Sequence, residues 1–359
     1  MNIKTNNMKT TLQLFFIFLF AFATTEAESQ TLGKLETKDN SFKINKLGDG
    51  PKKLYISTFT INFEIYKEAV DSKKAGGFGR SIKNAAKAKA AVGLATLDRK
   101  AIQEKADQLY TEFVTDFKNK GYEIISAETA GQTDTYKGWN KQIGPEVKET
   151  DMTGILAVVP TGYSYYYKDR NAFSSKLAGF AKTAQNLSKE LDDALIADVS
   201  LVYVFSNEGN DWNIGNAAKV KLLINYRLAS SFTISDEKTS TGGLTSMFDK
   251  SKQAVGLSTS IVLTRGKLSI GGSPESQFTG TLKKDFEIDG VLAKDKVEAY
   301  SKQTMANATL LNPIVVIRGD NYSSFTKWLE PDGKKYAEGM YLAGKKFIST
   351  HLMEVFTKL

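Results

Sequence analysis

The chain of 359 residues contains no cysteine. Disulfide scaffolds, thiol nucleophiles, thiolate metal sites and a lipid-modified N-terminal cysteine are therefore excluded. Histidine occurs once, at His351. A single imidazole cannot build a multi-histidine metal site within one chain, and a Ser-His-Asp triad could use that residue alone. Long apolar runs are also scarce. After the first 30 residues no stretch is apolar enough to span a membrane as a helix. What remains is ordinary globular composition, with 25% charged and 41% hydrophobic residues, enough for about two domains of ~150 residues or one large one.

The first residues read as an address. Lys4 and Lys9 precede Leu12–Ala23, a mainly apolar run of 12, and small residues at Thr25, Ala27 and Ser29 suit a cleavage site. The run is shorter than the ~20 residues of a spanning helix, so a secretory signal peptide over 1–27 is expected. Export without cysteine fits a bacterial periplasm, outer-membrane association or cell surface better than a typical eukaryotic secreted protein. Cleavage after Ala27 removes Lys4, Lys9 and Glu26 and takes the formal charge from +8 to +7. For an exported chain of that sign the expected anions are envelope lipid or acidic glycan, and nucleic acid is not expected.

Residues 28–50 are polar and read as a flexible leader. Leu54–Tyr66 then alternates through Phe59, Ile61, Phe63 and Ile65, with Ile56 on the other parity. This predicts a long strand whose register slips once near Thr58. Asp98–Lys120 carries Ile102, Ala106, Leu109, Phe113 and Phe117 at helical spacing, with Asp98 as N-cap and Gly121 just past the end. Strands are expected at 122–126, 154–159 and 163–167. A helix is expected over 171–197, followed by a hairpin of 199–205 and 219–230. Beyond Ser231 the chain reads as strands with polar turns, a helix at 295–307, a strand at 312–318 and a final helix at 334–359. The fold class is α/β (α+β): a mixed sheet with packed helices over 51–230, a β-rich extension over 231–330, and a terminal helix over 331–359 that packs on the α/β domain.

The candidate chemistry is sparse. Between Ser72 and Leu97 there are six basic residues, Lys73, Lys74, Arg80, Lys83, Lys87 and Lys89, and no acidic one. Alanine is abundant over 85–91, so part of this stretch is expected to be helical. Its ordinary reading is a solvated loop and helix face, and its functional reading is an anion-facing patch. Gly76, Gly77 and Gly79 match neither the dinucleotide-binding nor the P-loop glycine pattern, so no nucleotide cofactor is expected. Tyr163, Tyr165 and Tyr167 would share one strand face and, with Trp212, could stack on sugars. The plain alternative is a half-buried strand that uses the β-propensity of tyrosine. Tyr166 and Trp139 are further aromatics of this region. Paired carboxylates are the remaining open catalytic route. Glu64, Asp192, Asp193 and Asp198 are present, but no spacing singles out a pair. Ser-x-x-Lys at Ser235–Lys238 and Ser324–Lys327 is a pattern short enough to arise by chance. No catalytic residue and no metal site is assigned.

The order of elements carries one resemblance. A strand and amphipathic helix lead to Gly121, Tyr122, Glu123, Ile124 and Ile125, and Ala197 and Asp198 stand at the next strand. This resembles the periplasmic α/β domain of the curli-export channel family and the N-terminal domain of TolB-like proteins. The likeness covers roughly 52–230 plus the last helix, and the chain also resembles uncharacterised exported bacterial proteins. It implies an envelope protein, but channel members typically carry a lipid-modified cysteine that is absent here. Where that family places membrane hairpins, Thr264 and Gly266 dilute the apolar face of Val262, Leu268 and Ile270, and Lys284 falls on the face of Phe278, Leu282 and Phe286. Three readings follow: a non-enzymatic envelope protein that binds or scaffolds other components, an oligomeric channel component of the curli-export type, and a carboxylate-dependent carbohydrate-active protein.

Overall fold

The structure is a computed structural model that describes residues 30–73, 86–149, 154–168, 176–209, 217–235, 254–268, 274–302 and 326–359. The expected signal peptide and the strand expected at 312–318 lie outside the described residues. Within them the chain is mixed and strand-rich, about 46% strand and 27% helix. The elements in order are β1 (Thr31–Leu32), β2 (Thr37–Asp39), β3 (Lys53–Glu64), β4 (Tyr66–Lys73), β5 (Ala86–Leu94), α1 (Arg99–Asn119), β6 (Glu123–Ile124) and α2 (Ala127–Ala130). Then come β7 (Asn140–Ile143), β8 (Glu146–Glu149), β9 (Ile155–Val159), β10 (Ser164–Tyr167), α3 (Lys176–Glu190), β11 (Leu195–Glu208) and β12 (Ala217–Leu228). The rest are β13 (Phe232–Ser235), β14 (Ala254–Leu257), β15 (Ser260–Leu268), β16 (Pro274–Leu282), β17 (Phe286–Asp289), β18 (Asp295–Lys302), β19 (Thr326–Leu329) and α4 (Gly333–Phe356).

The main sheet is organised on β11, the longest strand. On one side it runs parallel to β3. On the other, its first half pairs antiparallel with β15 and its second half with β12. The sheet then continues outward from β15 through β16 to β2, and from β12 to β17 and β18. Of the strands after residue 231, β15, β16, β17 and β18 thus extend the same sheet as β11 and β12, while β13 and β14 pair with each other. Residues 30–50, expected from their polar composition to be flexible, supply edge strands: β1 pairs with β17 and β2 with β16. Edge pairing uses backbone hydrogen bonds, so a polar sequence can hide it.

The register slip expected near Thr58 is present. Ile56 pairs with Ala197 and Thr58 with Asp198, so Ser57 is an extra residue in β3. Before this bulge Leu54 and Ile56 face the larger core; after it Phe59, Ile61 and Phe63 do. That core lies between the sheet and the pair α1 and α4. Phe59 lies 5.7 Å from Phe113, Phe63 stacks on Tyr203 at 5.2 Å, and Tyr226 stacks on Tyr336 at 4.4 Å. Helix α1 is capped by Asp98, which accepts from the Ala101 N–H at 2.9 Å, and is left through Gly121 at φ 83. Helix α4 is capped by Asp332 and brings Ala337, Gly339, Ala343 and Gly344 inward. A Cβ at Gly344 would lie 2.6 Å from the Tyr203 hydroxyl, which donates to the Met340 carbonyl at 2.7 Å. Glycine there lets the helix approach the sheet.

Three expected helical stretches are strands. Ala86–Leu94 is β5, whose small Ala88, Ala90 and Val92 are buried, and this strand packs near β12 and β18. Close packing of small side chains overrides alanine's helix propensity. Residues 195–197 open β11 because α3 ends at Glu190 and Asp192 and Asp193 take left-handed φ of 56° and 63°, a conformation aspartate tolerates. Asp295–Lys302 is β18, with Val297 and Ala299 packed on the core. A separate sheet of β4, β5 and β19 completes this side.

His351 is fully buried on α4, and neither ring nitrogen reaches a hydrogen-bond partner. It sits 4.7 Å from Phe347 and 5.8 Å from Phe278, over Gly280, where a Cβ would meet its ring at 2.4 Å. Burial holds its pKa below the ordinary histidine value, against smaller opposing pulls from the Thr281 backbone and Asp39.

Two predictions follow from this packing. Phe113→Ala should cost about 3–5 kcal/mol and Lys118→Ala under ~0.5 kcal/mol in chemical denaturation. Equal small losses would show that α1 buries another face. Because neutral His351 is the favoured folded form, its contribution is present above the ordinary histidine pKa and lost as pH falls below it. His351→Leu should flatten the fall in thermal midpoint between about pH 7 and pH 5. An unchanged slope would assign acid sensitivity elsewhere.

Candidate functional site

The face of the main sheet away from α1 and α4 is covered unevenly. At one end Leu187 of α3 and Leu191 just past its end pack with Ile196 and Tyr55. At the other, Phe232 and Leu257 of the β13–β14 hairpin pack on Val202 and Val204. Between these covers alternation brings polar side chains to the surface. Ladder register sets them in two rows. One row runs Thr60, Ser200, Ser260, Thr281 and Lys38; the other runs Thr58, Asp198, Val262 and Thr279, ending at Asn40, whose N–H donates to the Thr279 carbonyl. Lys38 and Asn40 are exposed and the others half-buried. The result is a hydroxyl-lined trough across β3, β11, β15, β16 and β2.

Asp198 lies in this trough. The extra residue in β3 turns both Ser57 and Thr58 toward it, and the Ser57 hydroxyl donates to its carboxylate. Burial pushes the Asp198 carboxyl above the usual range, while the Ser57 and Thr58 hydroxyls act in the opposite sense. The pair has no imidazole: His351 is held on the opposite face of the sheet, beneath α4. A Ser-His-Asp relay therefore cannot form at Ser57. Among the described residues no group of three or more histidine, aspartate or glutamate side chains could hold a metal ion.

A tyrosine cluster flanks the trough at the outer edge of β3, where β6 pairs with its start and β9 with its end. Tyr163, Tyr165 and Tyr167 form a graded series along one face of β10. Tyr163 is buried against Tyr110 at 5.3 Å, Tyr165 is half-buried 6.2 Å from Tyr163, and Tyr167 is exposed. Tyr163 is thus core, which leaves Tyr165 and Tyr167 for contact with a ligand. Tyr166 turns the other way and stacks on Tyr136 at 4.4 Å, its hydroxyl donating to the Ala127 carbonyl at 3.0 Å. Trp139 packs beside Tyr136, and Trp212 lies outside the described residues.

The carboxylates named from sequence are dispersed. Glu64 is buried at a second irregularity, where the β11–β12 register shifts between Val204 and Ser206. Its carboxylate accepts from the N–H groups of Phe205 and Ser206 at 3.0 and 2.9 Å, and from the Ser206 hydroxyl at 2.8 Å. Burial still holds its pKa above the usual range. Arg227 links this site to Asp285 by donating to the Ser206 carbonyl and to the Asp285 carboxylate, both at 2.7 Å. The network seals irregular backbone and is structural. Asp192 is exposed beside Lys53 at 3.2 Å.

Of the basic stretch, Lys73 and Lys87 lie at the paired ends of β4 and β5, and Lys89 is engaged by Glu68 at 2.9 Å. Lys74, Arg80 and Lys83 lie outside the described residues. The trough itself was missed from sequence. Its residues are common surface types drawn from five distant segments, and only their pairing assembles them. Comparisons with protein-family models, with curated proteins and with solved structures found no match.

Two substitutions test the site's electrostatics. Asp198 holds its proton more tightly in the folded than in the unfolded chain, so its contribution is present at low pH and lost as pH rises through the window between the two values. Asp198→Asn should remove that component and hold or raise the midpoint at neutral pH; a large loss at neutral pH would mean that the ionised carboxylate is needed. Glu64→Ala should cost about 3 kcal/mol or more, because it strands two backbone N–H groups and one hydroxyl. A loss under ~0.5 kcal/mol would show that water replaces the carboxylate.

Proposed function

We infer that the chain is an exported, non-enzymatic protein of a bacterial cell envelope that binds or scaffolds other envelope components. The observation that carries this reading is the trough, an extended array of hydrogen-bonding side chains rather than a pocket focused on one reacting atom. Ser57 and Asp198 lack the imidazole that a serine nucleophile of the triad type requires, and Glu64 is consumed by backbone donors. An array of hydroxyls suits recognition of a hydroxyl-rich or charged surface by many modest contacts, each net ~1 kcal/mol. The leader-like start of the sequence supplies the envelope address, and the likeness to periplasmic α/β domains agrees with it. Among the described residues no helix is long and apolar enough to cross a membrane. That leaves open membrane association through strands, as the channel resemblance would require.

Fractionation of the native host with measurement of native mass tests this reading. The expected result is an envelope-fraction protein whose N-terminus begins between Glu28 and Gln30. Intact Met1 on a cytosolic protein would overturn it, and ring-shaped particles in detergent would favour the channel component instead. The basic stretch gives a separate expectation. If it draws the chain to anionic lipid, reversal of Lys83 and Lys87 to glutamate, which leaves the Lys89–Glu68 pair intact, should abolish pelleting with anionic vesicles at low salt while leaving the thermal midpoint nearly unchanged. Equal pelleting of parent and variant would remove that role.

A further inference from the structure

At its Lys38 end the trough opens into a groove of about 730 Å³, lined among others by Lys38, Asn40, Ser230, Ser231, Thr281 and Lys283. Three features of this groove point to one class of ligand. The first is charge. Lys38 and Lys283 are both exposed at it, and neighbouring carboxylates are engaged elsewhere. Glu36 is held by Lys34 and Lys284, and Asp285 by Arg227, the Ser230 N–H and the Ser230 hydroxyl. The lining therefore carries two lysines and no acid; Glu36, on which Lys283 also acts, and Asp39, which accepts from the Ser41 N–H, lie beside it.

The second feature is the hydroxyl row that leads away from it. Thr281, Ser260, Ser200 and Thr60 stand on adjacent strands, each directly opposite the next. Neighbouring strands are separated by ~4.8 Å, so the row from Lys38 to Thr60 extends over about 19 Å. One strand spacing is close to the length of one pyranose unit, and a hydroxyl both donates and accepts, as sugar hydroxyls do. The third is what the trough lacks. Its floor offers one apolar side chain in the two rows, Val262. An acyl chain or an apolar helix would find little to bury along these rows and would strip water from the Thr60, Ser200 and Ser260 hydroxyls, while Thr281 keeps the Lys38 carbonyl as acceptor.

We propose that the groove and trough bind an acidic polysaccharide, with uronate-type carboxylates at Lys38 and Lys283 and successive sugar hydroxyls along Thr281, Ser260, Ser200 and Thr60. Tyr165 and Tyr167 share the Tyr163 face of β10, which packs with the α1-side core, and form no part of the trough. Asp198 stands in the second row toward the end away from the lysines, its carboxylate held by the Ser57 hydroxyl. This assignment names the ligand of the binding reading above and rests on it. It does not depend on where in the cell the chain resides.

The test is calorimetric titration of the full chain with oligogalacturonate of defined length, beside a neutral oligosaccharide of equal length, inorganic phosphate and anionic phospholipid vesicles. Saturable oligogalacturonate binding that weakens with salt and increases with oligomer length is expected. Lys38→Glu with Lys283→Glu should weaken it about tenfold, the effect expected of two exposed charge contacts. Ser200→Val with Ser260→Val should weaken it without altering its salt dependence. All four positions are exposed or half-buried, and an unchanged thermal midpoint certifies the fold of each variant. Equal binding of the neutral sugar, a preference for vesicles, phosphate binding that matches the oligomer, or no binding at all would each overturn the assignment. A cytosolic location in the fractionation experiment would overturn the envelope reading while leaving glycan binding to be judged by this titration.

Discussion

One inserted residue governs both faces of the main sheet. Ser57 is the extra member of β3 where that strand runs beside β11. Side chains alternate strictly along a strand, so a slip of one residue exchanges its faces. Without Ser57, either the segment of Leu54 and Ile56 or that of Phe59, Ile61 and Phe63 would turn its apolar side away from α1 and α4. The same bulge puts the Ser57 and Thr58 hydroxyls against Asp198 on the other face. Core and trough are therefore consequences of one local geometry. Phe59 cannot reach Phe113 unless Thr58 and Thr60 point the other way.

The second irregularity, an extra residue in β12 opposite Phe205 of β11, repeats this logic with a different side chain. A bulge leaves backbone donors outside the ladder, and buried donors need acceptors. Glu64 fills that need from the end of β3, and Arg227 ties the neighbouring carbonyl to Asp285. A buried carboxylate with a raised pKa is often taken as a sign of catalysis. Here its donors are backbone groups of a sealed junction, so its place in the fold accounts for it. His351 is similar in kind: an imidazole in an apolar seat, kept neutral by burial over Gly280.

Much of the frame was legible in the sequence wherever large apolar side chains repeat. The stripe of α1, the slip near Thr58, the hairpin of β11 and β12 and the terminal helix all announce themselves through Phe, Ile, Leu and Tyr spacing. The failures share a cause. In β5 the buried face is alanine and valine, which carry little periodic contrast, and in β1 and β2 the pairing is made by the backbone. The end of α3 is set by two aspartates in a left-handed turn, a choice that local propensity does not announce. The trough was the least legible of all. Lys38, Thr60, Ser200, Ser260 and Thr281 are separated by long intervals in the chain, and hydroxyl residues occur widely on surfaces, so nothing marks them until the ladder aligns them.

The dependence of both faces on Ser57 is open to direct measurement by comparing its deletion with Ser57→Gly in chemical denaturation. Glycine keeps the extra residue and loses only the hydroxyl, so a loss of about 1 kcal/mol is expected. Deletion forces half of β3 to present its other face and should cost about 4 kcal/mol or more, or abolish cooperative unfolding. Deletion tolerated as well as the glycine variant would contradict the account.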